Sequence, residues 1–440
     1  MDATHPFQVL NFRWYWIARL CTTLAQISMV VILGWQVYDI ARATMSIRDA
    51  SFQLMWIGVA QFLPLLILSL PAGWVADHVD RRWIARTAVA LEVGCALTLA
   101  LLTYTETVTL TALFGVAALL GIARAFAGPA LGALAPNLVP KAILPTAIAL
   151  SALSWQFGTV IAPAMGGYLY AATHWLPYAV STGLFSLALL MLCLISPVPQ
   201  PLRTTGNPWA QMAEGLHYVR RNRLVLGAIS LDLFAVLLGG ATAMLPVYAR
   251  DILHVGPDGL GHLRAAPALG AVLVGAWFSW RPLKTEVGLK MLLSVGAFGL
   301  ATVVFGVGAP VTAAILGPEA VQGDWSAAMF VSLTALFVLG AADMVSVYVR
   351  QSLIQLYTPD SMRGRVGAVS TLFISGSNEL GEAESGLLGW LVGPVIAVAG
   401  GGIGAVLVTV LWAKLFPELR RARTFEPPAN LEIPPKEMTT

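Results

Sequence analysis

The sequence predicts an all-α integral membrane protein whose twelve transmembrane helices form two six-helix bundles. Three observations carry this. Hydrophobic residues fill 57% of the 440 positions, charged residues only 11%, and mean hydropathy is +0.75. A soluble globular domain has about 25% charged residues, so this composition cannot cover a water-facing surface. The apolar residues recur in runs close to the roughly 20 that a spanning helix needs, and the positive charge gathers on one side of those runs.

The predicted spans are 15–38, 53–72, 83–103, 108–127, 145–170, 176–196, 224–248, 262–281, 289–308, 327–349, 366–389 and 392–413. Most connections are short. The longest polar one, 197–223, separates an N-terminal bundle (1–196) from a C-terminal bundle (224–416) and is expected to be a cytoplasmic loop. The polar, Pro-rich segment 417–440 is expected to be a disordered cytoplasmic tail. With a cytoplasmic N-terminus, all but four of the 26 Lys and Arg residues lie inside. The four outer ones are then Arg42, Arg48, Arg250 and Arg264. Positive charge marks the cytoplasmic side, so both termini are expected there and the chain in the inner membrane. Two blocks of six spans with both ends inside is the layout of a transporter built from related halves.

Several function classes are disfavoured. Cys21, Cys95 and Cys193 sit in apolar runs without metal-ligand or CxxC spacing, so neither a metal site nor a disulfide framework is expected. The start, "MDATHPFQVLNFRWYW", has no basic-then-apolar pattern of a cleaved signal peptide. No GxxxxGK[ST], GxSxG or HExxH occurs, which argues against ATP-driven or hydrolytic chemistry. No basic stripe suggests nucleic acid, and no selectivity filter suggests a channel. No cofactor is expected, and a proton gradient is the natural energy source.

Motifs narrow the class. The stretch "GWVADHVDRR" (73–82) links spans 2 and 3 on the predicted cytoplasmic side. Gly73, Asp77, Arg81 and Arg82 resemble the loop 2–3 motif of the major facilitator superfamily, Gly-x-x-x-Asp-Arg-x-Gly-Arg-Arg. His78 and Asp80 depart from it. A small residue lets helices approach, and an acid can sit at a helix N-terminus, so the motif reads as a cytoplasmic gate. The alternative is that its arginines only enforce topology. In span 5, "GTVIAPAMGG" resembles the exporter motif of the superfamily through Gly158, Pro163, Gly166 and Gly167, with Ala162 in place of one glycine. Ser154, Gly158, Ala162 and Gly166 leave one helix face nearly bare, and generic small-residue packing is the plainer reading of the same pattern. Arg124 and Gly128 resemble the Arg-x-x-x-Gly motif of span 4, which the resemblance links to proton transfer; a snorkelling charge is the alternative. The stretches 215–253 and 358–386, with "NFRWYW" and "GWQVYDI" near the start, look like the enterobactin-exporter-like branch.

The chemistry is expected in polar stripes on membrane helices, where ionisable residues are costly and usually functional. In span 11, Thr371, Ser375, Asn378, Glu382 and Ser385 share one face, with Glu379 beside them. Two carboxylates held close compete for one proton, as a relay requires; a structural hydrogen-bond cluster is the alternative. Span 1 carries Arg19, Thr22, Gln26 and Gln36. The resemblance implies that the first helix of each triplet lines the cavity. Arg19, Gln26, Asn378 and Trp155 are therefore the substrate-binding candidates. Glu379, Glu382, Arg124, Asp232, Asp343 and Glu92 are the proton-coupling candidates, although Glu92 can equally join helices. Arg350, Arg363 and Arg365 are expected to rim the cytoplasmic mouth. Trp14, Trp16, Trp35, Trp56, Trp83, Trp175 and Trp412 read as an interfacial belt.

The expected function is proton-coupled export of a small amphipathic molecule, a siderophore or drug-like compound, by a functional monomer in the lipid bilayer. An importer or lysophospholipid-flipping transporter of the same fold is the alternative, and a non-transporting membrane receptor a distant one. Arg19 favours an anionic substrate while Glu379 and Glu382 favour a neutral or cationic one, and the sequence leaves that conflict open.

Overall fold

A backbone in hydrocarbon must satisfy its N–H and C=O groups internally, so apolar runs fold as helices. The computed structural model describes residues 5–140, 143–197, 208–321, 323 and 325–425. The first half holds α1 (Leu10–Arg42), α2 (Ile47–His78), α3 (Arg81–Tyr104), α4 (Leu110–Leu138), α5 (Leu144–Ala172) and α6 (Leu176–Leu194). After α7 (Pro208–Arg221), the second half holds α8 (Arg223–Leu238), a one-turn α9 (Leu245–Val247), α10 (Gly256–Trp280), α11 (Val287–Leu316), α12 (Ala327–Tyr357), α13 (Asp360–Val392) and α14 (Pro394–Leu415), closed by a short α15 (Pro417–Arg420). Among the described residues, eleven helical segments are long and apolar enough to cross a membrane, with α8 and its continuation to Ile252 counted as one. The twelfth long helix is α13, with 33 residues but a polar face, and it packs against α2 and α8.

In the first half, α1 packs on α5 and α6, α3 on α4 and α6, and α2 on α4. The second half repeats the scheme, with α11 on α12 and α14, and α10 on α12. The halves meet along two seams, α2 against α13 and α5 against α10. The α6–α8 connection lies at what is termed the proximal end; the α1–α2 and α13–α14 turns lie at the distal end.

Three expectations about the elements change. The eighth span begins at Gly256, not at 262. Gly256 adopts a left-handed φ of +70° and Pro257 occupies the first turn, a glycine–proline start signal that the apolar run concealed. Arg264, counted above with the outer charges at the edge of its predicted span, therefore lies well inside the helix. The seventh span is not one helix over 224–248. It stops at Leu238, passes through a 3-10 turn at Ala241–Met244 and α9, and ends in a π turn at Tyr248–Ile252. The break is where α13 presses in: Ser385 Oγ donates to Gly240 O at 3.0 Å, and a Cβ on Gly240 would fall 2.7 Å from Gly381 O. The central connection is not all loop. Its second part is α7, which docks on α13 through Glu214 and Arg365 at 2.6 Å, with Gly215 against the Arg365 backbone. Residues 426–440 of the expected tail lie outside the described residues.

Candidate transport cavity and gates

A cavity of about 370 Å³ sits between the halves, lined by Gln26, Gln61, Glu92, Arg124, Trp155 and Thr159 from the first and by Thr242, Arg264, Asn378 and Glu382 from the second. That volume is in the range of small-molecule sites. Met29, Val30, Pro163 and Pro267 complete an apolar wall. A larger groove of about 550 Å³ between α11 and α12 is lined by apolar residues and Thr334 and offers nothing to orient a polar ligand.

The polar wall is built by pairs. Gln26 on α1 donates to Glu92 Oε1 on α3 at 2.5 Å, while Glu92 Oε2 is buried with no hydrogen-bond partner and the residue is fully inaccessible. Glu92 thus ties α1 to α3 through one carboxyl oxygen and leaves the other without a hydrogen-bond partner. Arg124 on α4 donates to Gln61 Oε1 on α2 at 3.3 Å. Arg19 lies with its guanidinium carbon 5.8 Å from the centroid of the Trp155 ring, a cation–π approach. Trp155 itself is half exposed. Asn378 and Glu382 enter from α13; the side chain of Glu379 lies outside the described residues.

Other predicted residues fall elsewhere. Gln36 does not continue the cavity stripe. It is buried in the first half, donating to Thr103 Oγ1 at 3.1 Å and accepting from Tyr178 OH at 2.7 Å. Asp232 is buried in an ion pair with Arg350. Arg350 is therefore not at a mouth but 3% exposed, and its partner is Asp232 on α8. Asp343 is half-buried. Trp35 is buried in the core at 5% exposure and is not part of an interfacial belt. Cys193 is exposed.

The exporter-like glycines meet two different partners. A Cβ on Gly158 would fall 2.4 Å from Thr23 Cγ2, and one on Gly166 2.8 Å from Ser28 Oγ, both on α1. A Cβ on Gly167 would fall 2.5 Å from Pro257 O on α10. Pro163 lies inside α5 and lines the cavity. Gly128 has open space around it.

The contacts at the two ends of the helices go beyond what the motifs indicate. At the proximal end, the surroundings of Gly73 and the side chain of Asp77 lie outside the described residues. Asp80, the departure from the motif, caps α3 by accepting from the Arg82 backbone N–H at 2.9 Å and pairs with the Arg82 guanidinium at 2.6 Å. That guanidinium holds the Asp80 carboxyl below the usual carboxylate range. Arg82 also donates to Ile195 O at 3.2 Å, and Arg86 to Leu192 O at 3.0 Å. These arginines satisfy the free carbonyls at the end of α6, where positive charge is favoured. Arg81 is partly buried beside them.

At the distal end the halves are joined by ionic contacts the sequence did not reveal. Arg42 on α1 donates to Asp251 Oδ1 at 3.0 Å, and Tyr38 OH donates to Asp251 Oδ2 at 2.6 Å. The adjacent Arg250 pairs with Asp39 and donates to its backbone carbonyl at 2.9 Å. Trp390 Nε1 donates to Asp49 Oδ1 at 3.2 Å across the α2–α13 seam, and Tyr168 hydrogen-bonds His262 across the α5–α10 seam. The signal that could have found this latch was an Asp–Arg spacing near one span end matched by an adjacent Arg-Asp near another.

The sequence signature of the Major Facilitator Superfamily matches residues 15–382. The chain is 27% identical to the enterobactin exporter EntS of Escherichia coli O1:K1 / APEC over 430 residues, 96% of this chain and 95% of that protein. It is equally similar, at 27% over 96% and 95% of the two chains, to the EntS of Shigella boydii serotype 18. Among solved structures, the fold is similar to a D-xylose-proton symporter, with a TM-score of 0.69 at 16% identity over 94% of this chain and 99% of that one. It is also similar to the POT family transporter PepTSo, with a TM-score of 0.71 at 13% identity over 95% and 99%. With a central cavity, two seamed halves and a family signature over most of its length, the chain belongs to the major facilitator superfamily and is a multi-pass membrane protein of the secondary-transporter class, not an enzyme.

Proposed function

We propose that the protein exports a small amphipathic molecule of the siderophore type across the cytoplasmic membrane in exchange for protons, as a monomer with both termini inside. The observation that carries this reading is the cavity between the halves, where the buried carboxyl of Glu92, bonded to Gln26 at 2.5 Å, stands in the same wall as Arg124, opposite Glu382. A transporter needs its proton-holding group and its ligand surface to be exposed to one side at a time. Bundles 1–196 and 224–416, rocking about this cavity, provide that. The enterobactin exporters among its relatives support export and the siderophore class, and the Lys/Arg bias supports the orientation. In this reading the distal latch closes the outer face, and Asp77 with Arg81 and Arg82 closes the inner one in the opposite state.

The test compares the small molecules secreted by the native host with and without the gene under iron limitation, by mass spectrometry. Loss of an iron chelator from the medium, restored by complementation, is the expected result. An unchanged profile removes the siderophore assignment and turns the search to other amphipathic compounds. Proton exchange is tested separately in proteoliposomes, where substrate flux must respond to an imposed pH gradient.

A further inference from the structure

We propose that Arg264 forms an anion-binding subsite of the central cavity, so that the transported molecule presents a negatively charged group to α10 and a flat apolar body to Trp155. This rests on the reading of the cavity as the transport site.

Most of the buried or half-buried arginines of the protein have a partner. Arg42, Arg82, Arg250, Arg350 and Arg365 each have a carboxylate partner. Arg124 has Gln61. Arg264 differs. Its Nε is buried without a hydrogen-bond partner, as Arg350 Nε is, but unlike Arg350 its guanidinium makes, among the described residues, no ion pair and no hydrogen bond. Glu382 on α13 is close enough to act on it electrostatically without closing a salt bridge. A guanidinium presents five N–H donors in a rigid fork, and leaving charged donors unpaired away from water is costly. The chain accepts that cost at a residue that lines the cavity.

The sign of the subsite follows from comparing it with the cavity's carboxylate on the other half. Glu92 is fully inaccessible and already accepts from Gln26 at 2.5 Å, so its wall position is closed to a ligand cation. Arg264 is half-buried and so reaches the open space. The opposite wall supplies the rest of the ligand's shape: the half-exposed Trp155 ring, stiffened by Arg19 at 5.8 Å, with Pro163 and Thr159 beside it. A planar fork on one half and an aromatic face on the other suit an aromatic or conjugated anion. Because Arg264 and Trp155 belong to different halves, such a ligand bridges them and is released as they separate.

The test uses the full-length protein in lipid nanodiscs with a matched probe pair, 2-naphthoate and its neutral amide 2-naphthamide, titrated by calorimetry. The native protein should bind the carboxylate at least tenfold more tightly than the amide, the scale of one charge-assisted fork. Arg264→Gln should erase that preference by weakening only the carboxylate, Arg264→Lys should keep part of it, and Trp155→Ala should weaken both probes alike. Equal affinities in the native protein, absence of binding by either probe, or a preference that survives Arg264→Gln overturns the proposal. Should Arg264→Gln fail to fold, the native comparison and Arg264→Lys still decide. A negative secretion experiment with an intact anion preference removes the exporter reading and leaves the subsite standing; the reverse result does the opposite.

Discussion

Arg42 and Asp251 meet at 3.0 Å across the boundary between the two halves, with side chains only 24% and 13% exposed. The neighbouring pair runs the other way: Asp39 on α1 faces Arg250. Each half thus contributes one acid and one base, and Tyr38 adds a hydroxyl donor to Asp251. Such a reciprocal arrangement fixes register as well as closure, since sliding either helix would bring like charges together.

Removing one partner should therefore open the distal end. Hydrogen bonds to charged groups contribute about 1.5–3 kcal/mol, so Asp251→Asn should shift the conformational population by about tenfold or more. Distances between spin labels placed on the distal ends of α1 and α10 report it. The double exchange Arg42→Asp with Asp251→Arg should restore closure; if the single and double variants give the same distances, the latch is not ionic.

Gly167 gives a second handle on the same equilibrium. Any side chain there must displace the α10 backbone near Pro257, and overpacking a tight contact costs about 1–3 kcal/mol. Gly167→Ala should disfavour the distal-closed state without touching a charge. Increased labelling of a distal cysteine by a membrane-impermeant reagent is the expected outcome. Unchanged labelling would show that α5 and α10 can part without cost.

The buried pair Asp232–Arg350 should matter to folding more than to transport. Stranding one buried charge costs about 3–5 kcal/mol, whereas replacing both by apolar residues is often neutral. Arg350→Met should lower the thermal unfolding temperature in detergent, and adding Asp232→Leu should recover most of it. A double variant that is stable yet inactive would instead place this pair in the coupling mechanism.

Glu92 and Glu382 are separable by isosteric change. Glu92→Gln keeps a partner for Gln26 but can no longer release a proton; flux driven by a pH gradient in proteoliposomes should be lost while folding is retained. Glu382→Gln should behave alike if both carboxyls carry coupling. Normal gradient-driven flux in either variant removes that residue from the proton path.

Asp80 predicts a pH effect on stability. Its hydrogen bonds from Arg82 depress its pKa, so the folded state holds the ionised form more tightly than the unfolded chain does. The resulting stabilisation is present above the ordinary aspartate range and is lost as pH falls through the depressed folded value. Asp80→Asn should flatten the acid side of the stability profile, measured by thermal unfolding between neutral and acidic pH. An unaltered profile would assign the acid sensitivity to another group.

Much of the site was legible because its signals are local. Gln26, Glu92, Arg124, Trp155, Asn378 and Glu382 stand out in the sequence as polar or aromatic residues inside apolar runs, and all line the one cavity. Arg264 was counted with the outer charges because the predicted span began only just before it, whereas the helix starts at Gly256-Pro257 and carries Arg264 well inside. Gln36 was misread because a helical face shows which residues point together but not what they point at. The distal latch was missed for a related reason: Asp39 and Arg250 are 211 positions apart, and each alone resembles an ordinary end-of-span charge.

The sequence by itself determined the class of the protein. The shortage of charge, the span length and the Lys/Arg bias follow from the physics of a chain in a bilayer, which acts on each segment independently. Only the tertiary structure decided which polar residues satisfy one another and which keep an unpartnered atom. Asp232 and Glu92 look alike as lone acids in apolar helices; one neutralises Arg350, and the other keeps an oxygen free. That difference is made by what the neighbouring helix brings within about 3 Å, the reach of a hydrogen bond, and no local property of either segment encodes it.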